Sequence, residues 1–236
     1  MFQWILNIAI IVFIIILVVV IGCMSLVYTQ QHPKLQKVIA GKDAIVCVGD
    51  SITYGAGVWK TRKKDSYPAI LQTLVPKNYQ VLNYGLSGRT LQDEGDMPYR
   101  REKAFMKSLN CKANKYILML GTNDSKPVNW NPDRFENELD VFVKYYLELE
   151  SKPDVILMQP PRSFPKEGTD SIVFDISNDR IKEEIYGSIG QIAEKYGLQV
   201  IDLYQLTEKH PEWFADGVHP NRVGNQMISE EIAKYM

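Results

Sequence analysis

Residues 8–24 contain no charged or strongly polar side chain, and the apolar character reaches outward to Trp4 and Tyr28. A helix of that length rises far enough to cross a hydrocarbon core of ~30 Å. Trp4 and Tyr28 flank it as interfacial aromatics do, and a soluble core helix this long would show a polar face. Residues 1–28 therefore read as a transmembrane helix or signal anchor. Residues 29–42 are polar, with Pro33 and Gly41, and read as a linker. Beyond Lys42 short apolar runs alternate with segments of helical spacing. Strands are predicted at 44–48, 79–83, 116–120, 155–158 and 199–202.

Between the strands, residues 66–75 place Tyr67, Ile70, Leu71 and Leu74 on one helical face, and 99–109 forms another helix. Asn131-Pro132 opens a third, with Asn as N-cap and Pro at the first helical position. Its apolar face carries Phe135, Leu139, Phe142, Tyr146 and Leu149. A long helix over 176–196 ends at Gly197, a suitable residue past a helix C-terminus, and 223–235 closes the chain. Strands alternating with helices imply parallel pairing. The expected fold is α/β, a three-layer α/β/α sandwich with a mainly parallel, flavodoxin-like sheet of five strands. It occupies residues 43–236, behind the N-terminal helix.

Composition removes some functions. The 236 residues carry a net charge of −1, with no basic field to attract nucleic acid. Cys23, Cys47 and Cys111 form neither a CxxC pair nor a Cys/His cluster at metal spacing, so they read as small buried hydrophobes, and no metal or other cofactor is expected.

In open parallel sheets, ligands bind outside the carboxyl ends of the strands, and the unusual polar residues fall there. The first strand runs into Gly49-Asp50-Ser51-Ile52. The second runs into Asn83-Tyr84-Gly85-Leu86-Ser87-Gly88, where two glycines suggest a sharp turn or a close backbone approach. The third runs into Gly121-Thr122-Asn123-Asp124, which offers a side-chain amide. Near the C-terminus lies Asp216-Gly217-Val218-His219-Pro220. An acid three residues ahead of a His can fold back onto the imidazole and orient it. Each piece alone could be an ordinary turn.

Together, in this order, the four pieces resemble the blocks of the GDSL/SGNH hydrolase family, from about Ala44 to the C-terminus. The resemblance implies a serine esterase working through an acyl-enzyme. Ser51 would be the nucleophile, His219 its general base and later acid, and Asp216 the residue orienting His219. The oxyanion hole would comprise the backbone N–H groups of Ser51 and Gly88 and the side-chain amide of Asn123. Gly88 is preferred to Gly85 because the family's oxyanion glycine follows the small residue in Asn-x-x-x-Ser-Gly. Asp50 and Asp124 would brace their loops.

Three features bear on the substrate. The stretch from Gly121 to Trp130 looks like that of bacterial carbohydrate O-acetyl esterases of this family. Trp130 could stack on a sugar or pack in the core. Residues 159–175 form a long polar loop at the ligand-binding edge. No broad apolar stretch suggests a lid for long acyl chains. The favoured substrate is a short acyl group, acetyl, on a glycan. The alternatives are a lysophospholipase or thioesterase for longer chains, and a catalytically silent glycan-binding module.

Lys34, Lys37 and Lys42 follow the apolar helix and nothing basic precedes it, which by the positive-inside rule favours a cytoplasmic domain. The family resemblance pulls the other way, since membrane-tethered members usually act outside the cell, and an extracytoplasmic domain is expected. The run from Val20 to Cys23 also resembles a lipoprotein box, which would place lipid on Cys23.

Overall fold

The computed structural model of the protein describes residues 2–236, in two compact units that divide after Lys34. The first unit is helix α1, Phe2–Gln31. Its stretch Leu6–Thr29 spans 24 residues of mean hydropathy 3.4, with none of its most apolar window buried.

The second unit is a five-stranded sheet between two helical layers. The strands are β1 (Asp43–Gly49), β2 (Tyr79–Gly85), β3 (Lys115–Met119), β4 (Asp154–Gln159) and β5 (Gln199–Asp202). They lie in the order β2-β1-β3-β4-β5, and all four pairings are parallel. The chain leaves β1 toward β2, then returns to the other side of β1 for β3. The connections reverse direction between β1 and β3, where such sheets open a crevice for ligands.

Strand side chains alternate between two faces. Ala44, Val46 and Val48 of β1 join Tyr116, Leu118, Val155 and Leu157 under α3 (Lys103–Leu109), α4 (Pro132–Leu147) and α5 (Tyr186–Tyr196). Ile45 and Cys47 join Ile117, Met119, Ile156 and Ile201 under α2 (Tyr67–Leu74) and α6 (Arg222–Ala233). Burial pushes the Cys47 thiol up to about 12, so it stays a neutral core side chain. All three cysteines are free; Cys23 is exposed and Cys111 half-buried.

Several elements differ from the periodicity. The helix expected over 99–109 is broken: Tyr99–Arg101 makes one 3₁₀ turn, Glu102 is extended, and only then does α3 begin. Tertiary bonds compete with helix here. The Tyr99 hydroxyl donates to the Tyr84 carbonyl at 2.7 Å, and the Glu102 carboxylate pairs with the buried Arg89 at 2.7 Å. Helix α4 stops before Leu149. The helix expected from Ile176 starts at Asn178, capped by the Ser177 hydroxyl, and passes through a π-helical turn at Ile181–Ile185 before α5. Residues 35–39, within the stretch read as linker, are tied to β2: Tyr84 Oη donates to the Gln36 carbonyl, and Ile39 N–H to Gln80 Oε1.

Two fully buried acids hold the loops at the carboxyl ends of the strands. Asp50, just past β1, accepts from the Ile52 N–H at 2.9 Å and so caps the turn Ser51–Tyr54. Asp124, past β3, accepts from the Leu91 and Gln92 N–H groups at 2.9 and 2.8 Å, binding the loop after β2 to the loop after β3. Burial pushes the Asp50 carboxyl up to about 6, against the opposing hydrogen bond from Ile52. Burial, with the charge of Asp50 adding to it, pushes Asp124 up to about 7.

Between about pH 4 and 7 the folded protein therefore holds protons on these acids that the unfolded chain has lost, and stability declines as pH rises through that window. Asp140 and Asp216 are held below the ordinary carboxylate range, so their contributions are lost only at more acidic pH. The thermal midpoint should fall from pH 5 to pH 8, by a free energy on the order of a few kcal/mol. Asp124→Asn should lower the midpoint throughout, because an amide can accept from only one of the two N–H groups. It should also flatten the slope, as read by calorimetry across the range. A level midpoint in the native protein would mean these acids are not desolvated.

Candidate functional site

The four sequence blocks converge at the rim between β1 and β3. Ser51 begins the helical turn directly after β1 and is buried, with 6% of its surface exposed. Its hydroxyl lies 2.9 Å from His219 Nε2, across 168 positions of chain. His219 Nδ1 lies 2.7 Å from Asp216 Oδ2. The other Asp216 oxygen accepts from the Val218 and His219 N–H groups at 3.0 and 2.8 Å. Asp216 thus closes the tight turn that brings its carboxylate onto the ring. Burial pushes its carboxyl up, but the hydrogen bonds and charge of His219 outweigh that and keep it ionised below the usual range.

Two contacts bring the distant His219 segment to the first strand. The Asn225 amide at the start of α6 donates to the Pro220 carbonyl at 2.8 Å, while its oxygen accepts from Tyr67 N–H of α2 at 2.8 Å. The turn after Ser51 lies against the same segment, so closely that a Cβ at Gly57 would sit 2.3 Å from the Pro220 carbonyl oxygen.

The loop after β2 supplies Gly88, whose φ of +83° favours glycine. Arg89 fixes it by donating to the Ser87 carbonyl at 2.8 Å and pairing with Glu102. At Gly85 the approach is even tighter, since a Cβ there would lie 2.2 Å from the Tyr54 nitrogen. The two glycines thus divide the roles expected of them: one turns, the other lets backbones touch. Asn83 joins the blocks by donating to the Thr53 carbonyl at 2.8 Å.

Asn123, past β3, is also buried, and its amide nitrogen donates to the Arg89 carbonyl at 3.2 Å, with Asp50 Oδ2 at 3.5 Å. Its backbone carbonyl accepts from Asn129 at 2.9 Å. Among the described residues, no acceptor is matched to the backbone N–H of Ser51 or of Gly88. Chemically, the arrangement offers a hydroxyl on an oriented imidazole, beside backbone and amide donors able to receive an anionic oxygen.

Trp130, a candidate sugar platform by sequence, is half-buried and packs against the core. Its ring lies 5.4 Å from Phe135, and its indole donates to Glu184 at 3.2 Å. The aromatic that faces the site is Phe174, in the long loop after β4. Its ring stands edge-on to His219 at 5.5 Å and is 57% exposed. Only the length of that loop signalled it in the sequence. Among the described residues no group of three or more His, Cys, Asp or Glu side chains could hold a metal ion.

The chain is 34% identical to an acetylxylan esterase of Xylanibacter ruminicola, over 80% of this chain and 42% of that protein. It thus spans under half the length of that relative. Among solved structures, it resembles the M. smegmatis aryl esterase, with a TM-score of 0.64 and 21% identity over 82% of this chain and 97% of the other. Est24, a carbohydrate acetylesterase from Sinorhizobium meliloti, gives a TM-score of 0.64 and 20% identity over 82% and 98%. The GDSL-like lipase/acylhydrolase family matches residues 47–227. That match runs from inside β1 to the middle of α6 and takes in every element that carries the site: the chain belongs to the GDSL-like lipase/acylhydrolase family.

Proposed function

We propose that the protein is a serine esterase that removes short acyl groups, acetyl foremost, from a glycan. The observation that carries this reading is the continuous chain of hydrogen bonds from Asp216 through His219 to Ser51, 2.7 and 2.9 Å long. A neutral serine hydroxyl needs a base within reach to attack a carbonyl. Ser51 Oγ bonds to the ester carbonyl carbon as its proton passes to His219 Nε2. The negative charge that gathers on the carbonyl oxygen is met by the N–H groups of Ser51 and Gly88 and by the Asn123 amide. Collapse breaks the bond to the alcohol, and His219 returns the proton to the leaving oxygen. Water then attacks the acyl-enzyme and gives a proton to His219. The second collapse frees the carboxylic acid and restores the Ser51 hydroxyl. Asp216 holds the ring in the orientation both transfers need and stabilises its charged form.

The acetylxylan esterase relative supports acetyl as the acyl group and a polysaccharide as the alcohol. Residues 1–28 are proposed as a membrane anchor, followed by the linker and the hydrolase domain. The mean hydropathy of 3.4 over Leu6–Thr29, with none of its most apolar window buried, supports this. An acetylated glycan as substrate favours the extracytoplasmic side, against the lysines that follow the helix.

Three measurements test these readings. Ser51→Ala should abolish acetate release, and Asn123→Ala should lower kcat about a hundredfold or more with the melting transition retained. Unchanged turnover in the Asn123 variant would remove its amide from the reaction. Across nitrophenyl esters of increasing chain length, kcat/KM should peak at acetyl. A peak at long acyl chains would replace the glycan reading with a lipid or thioester one. In a bacterial host, full-length protein should stay with membranes through alkaline carbonate extraction and be cut by protease added to spheroplasts. Cleavage only after lysis would place the domain on the cytoplasmic side.

A further inference from the structure

The loop after β4 is pinned at both ends and strained between them. At its start, Phe164 N–H donates to the Gly217 carbonyl at 2.8 Å, and the Phe164 ring packs on Phe214 at 5.3 Å. At its end, Ser177 N–H donates to Ser125 Oγ at 3.1 Å, and Ile176 is buried. Between these anchors, Phe174 and Asp175 both adopt left-handed backbone, with φ of +61° and +57°. Asp tolerates that conformation; Phe does not adopt it without cost. Side-chain burial usually offsets such strain, yet the Phe174 ring is left mostly in solvent. What the conformation achieves is to hold that ring against the imidazole of His219.

We propose that Phe174 is the residue that selects a glycan as the alcohol part of the ester, by stacking on the sugar ring that carries the acyl group. The inference rests on the esterase reading given above. In that reaction His219 Nε2 must reach the leaving oxygen, so the alcohol has to lie beside the imidazole, where Phe174 stands. An exposed aromatic surface fits the C–H face of a pyranose, and it gives nothing to a small alkyl alcohol.

The surroundings suit a longer saccharide. Asp175, the residue after Phe174, lines an open cleft of about 550 Å³ together with Arg162, Asp170, Asn178, Asp179 and Arg180, and with prolines and isoleucines between them. Its wall carries both basic and acidic side chains. Charged and amide groups set among apolar side chains suit the hydroxyl groups and C–H faces of a saccharide. Neighbouring sugar units would extend from the Phe174 ring into this cleft.

The test compares two substrates in full-length protein held in detergent: acetylated xylo-oligosaccharides and ethyl acetate, with acetate release as the readout. Phe174→Ala should cost about tenfold more kcat/KM on the oligosaccharide than on ethyl acetate, with the difference lying in KM. Phe174→Trp, which keeps an aromatic face, should restore most of it. Equal losses on both substrates would reduce Phe174 to a support for His219 and overturn the proposal, as would no loss on either. If native protein cleaves ethyl acetate and leaves the oligosaccharide untouched, it is the acetyl-glycan reading that fails. Calorimetric titration with unacetylated xylo-oligosaccharide then decides the ring: binding that Phe174→Ala abolishes upholds it, and no binding to native protein overturns it.

Discussion

The Ser51 hydroxyl and the His219 imidazole stand 2.9 Å apart at the ends of a chain segment that spans most of the folded unit. Holding them there is the demand that the architecture meets. An error of about 1 Å in such an alignment typically costs orders of magnitude in rate. The sheet supplies the first coordinate, because Ser51 follows β1 directly at the reversal of strand connections. The second coordinate comes from Asn225, which grips both the Pro220 carbonyl and the start of α2, and from the backbone contact at Gly57. Helices α2 and α6 lie on one face of the sheet, so the face that buries Ile45 and Cys47 also fixes the position of His219.

Around that alignment, buried polar groups tie the loops to one another and not only to their own strands. Asp124 spans from the β3 loop to Leu91 and Gln92, Asn83 from β2 to Thr53, and Asn129 accepts from Asp96 N–H of the loop after β2. Arg89, nearly all of it buried, pairs with Glu102 and in doing so interrupts the helix that would otherwise begin at Tyr99. The donors proposed for the oxyanion are therefore set before any ligand arrives, which is what gives them their effect in a low-dielectric cleft. The same burial raises the carboxyls of Asp50 and Asp124, so the rigidity of the site is coupled to pH.

The periphery follows a different rule. The loop after β4 is held at its two ends and meets the Asp216–His219 turn, with the Phe174 ring exposed against His219 and Asp175 on the wall of an open cleft. Binding and catalytic residues are commonly placed on loops that a rigid scaffold positions, and the reading proposed for this loop follows that pattern.

Most of the fold was legible in the sequence. The five strands appear as short apolar runs because strands buried on both faces carry few polar residues, and the parallel order follows from strands alternating with helices. The candidate residues were legible too, since each block ends a strand or precedes a helix. Glycines whose φ or close contacts exclude a side chain mark two of the turns. What periodicity could not give were the contacts between elements distant in sequence. Such contacts broke the helix at Glu102, tied residues 35–39 to β2 and packed Trp130 against the core. They also delivered Phe174, one of many residues in a long polar loop, to the ring of His219. Local spacing reports which face a side chain takes on its own element, whereas its neighbours across space depend on how the layers pack, and only the tertiary structure fixes that.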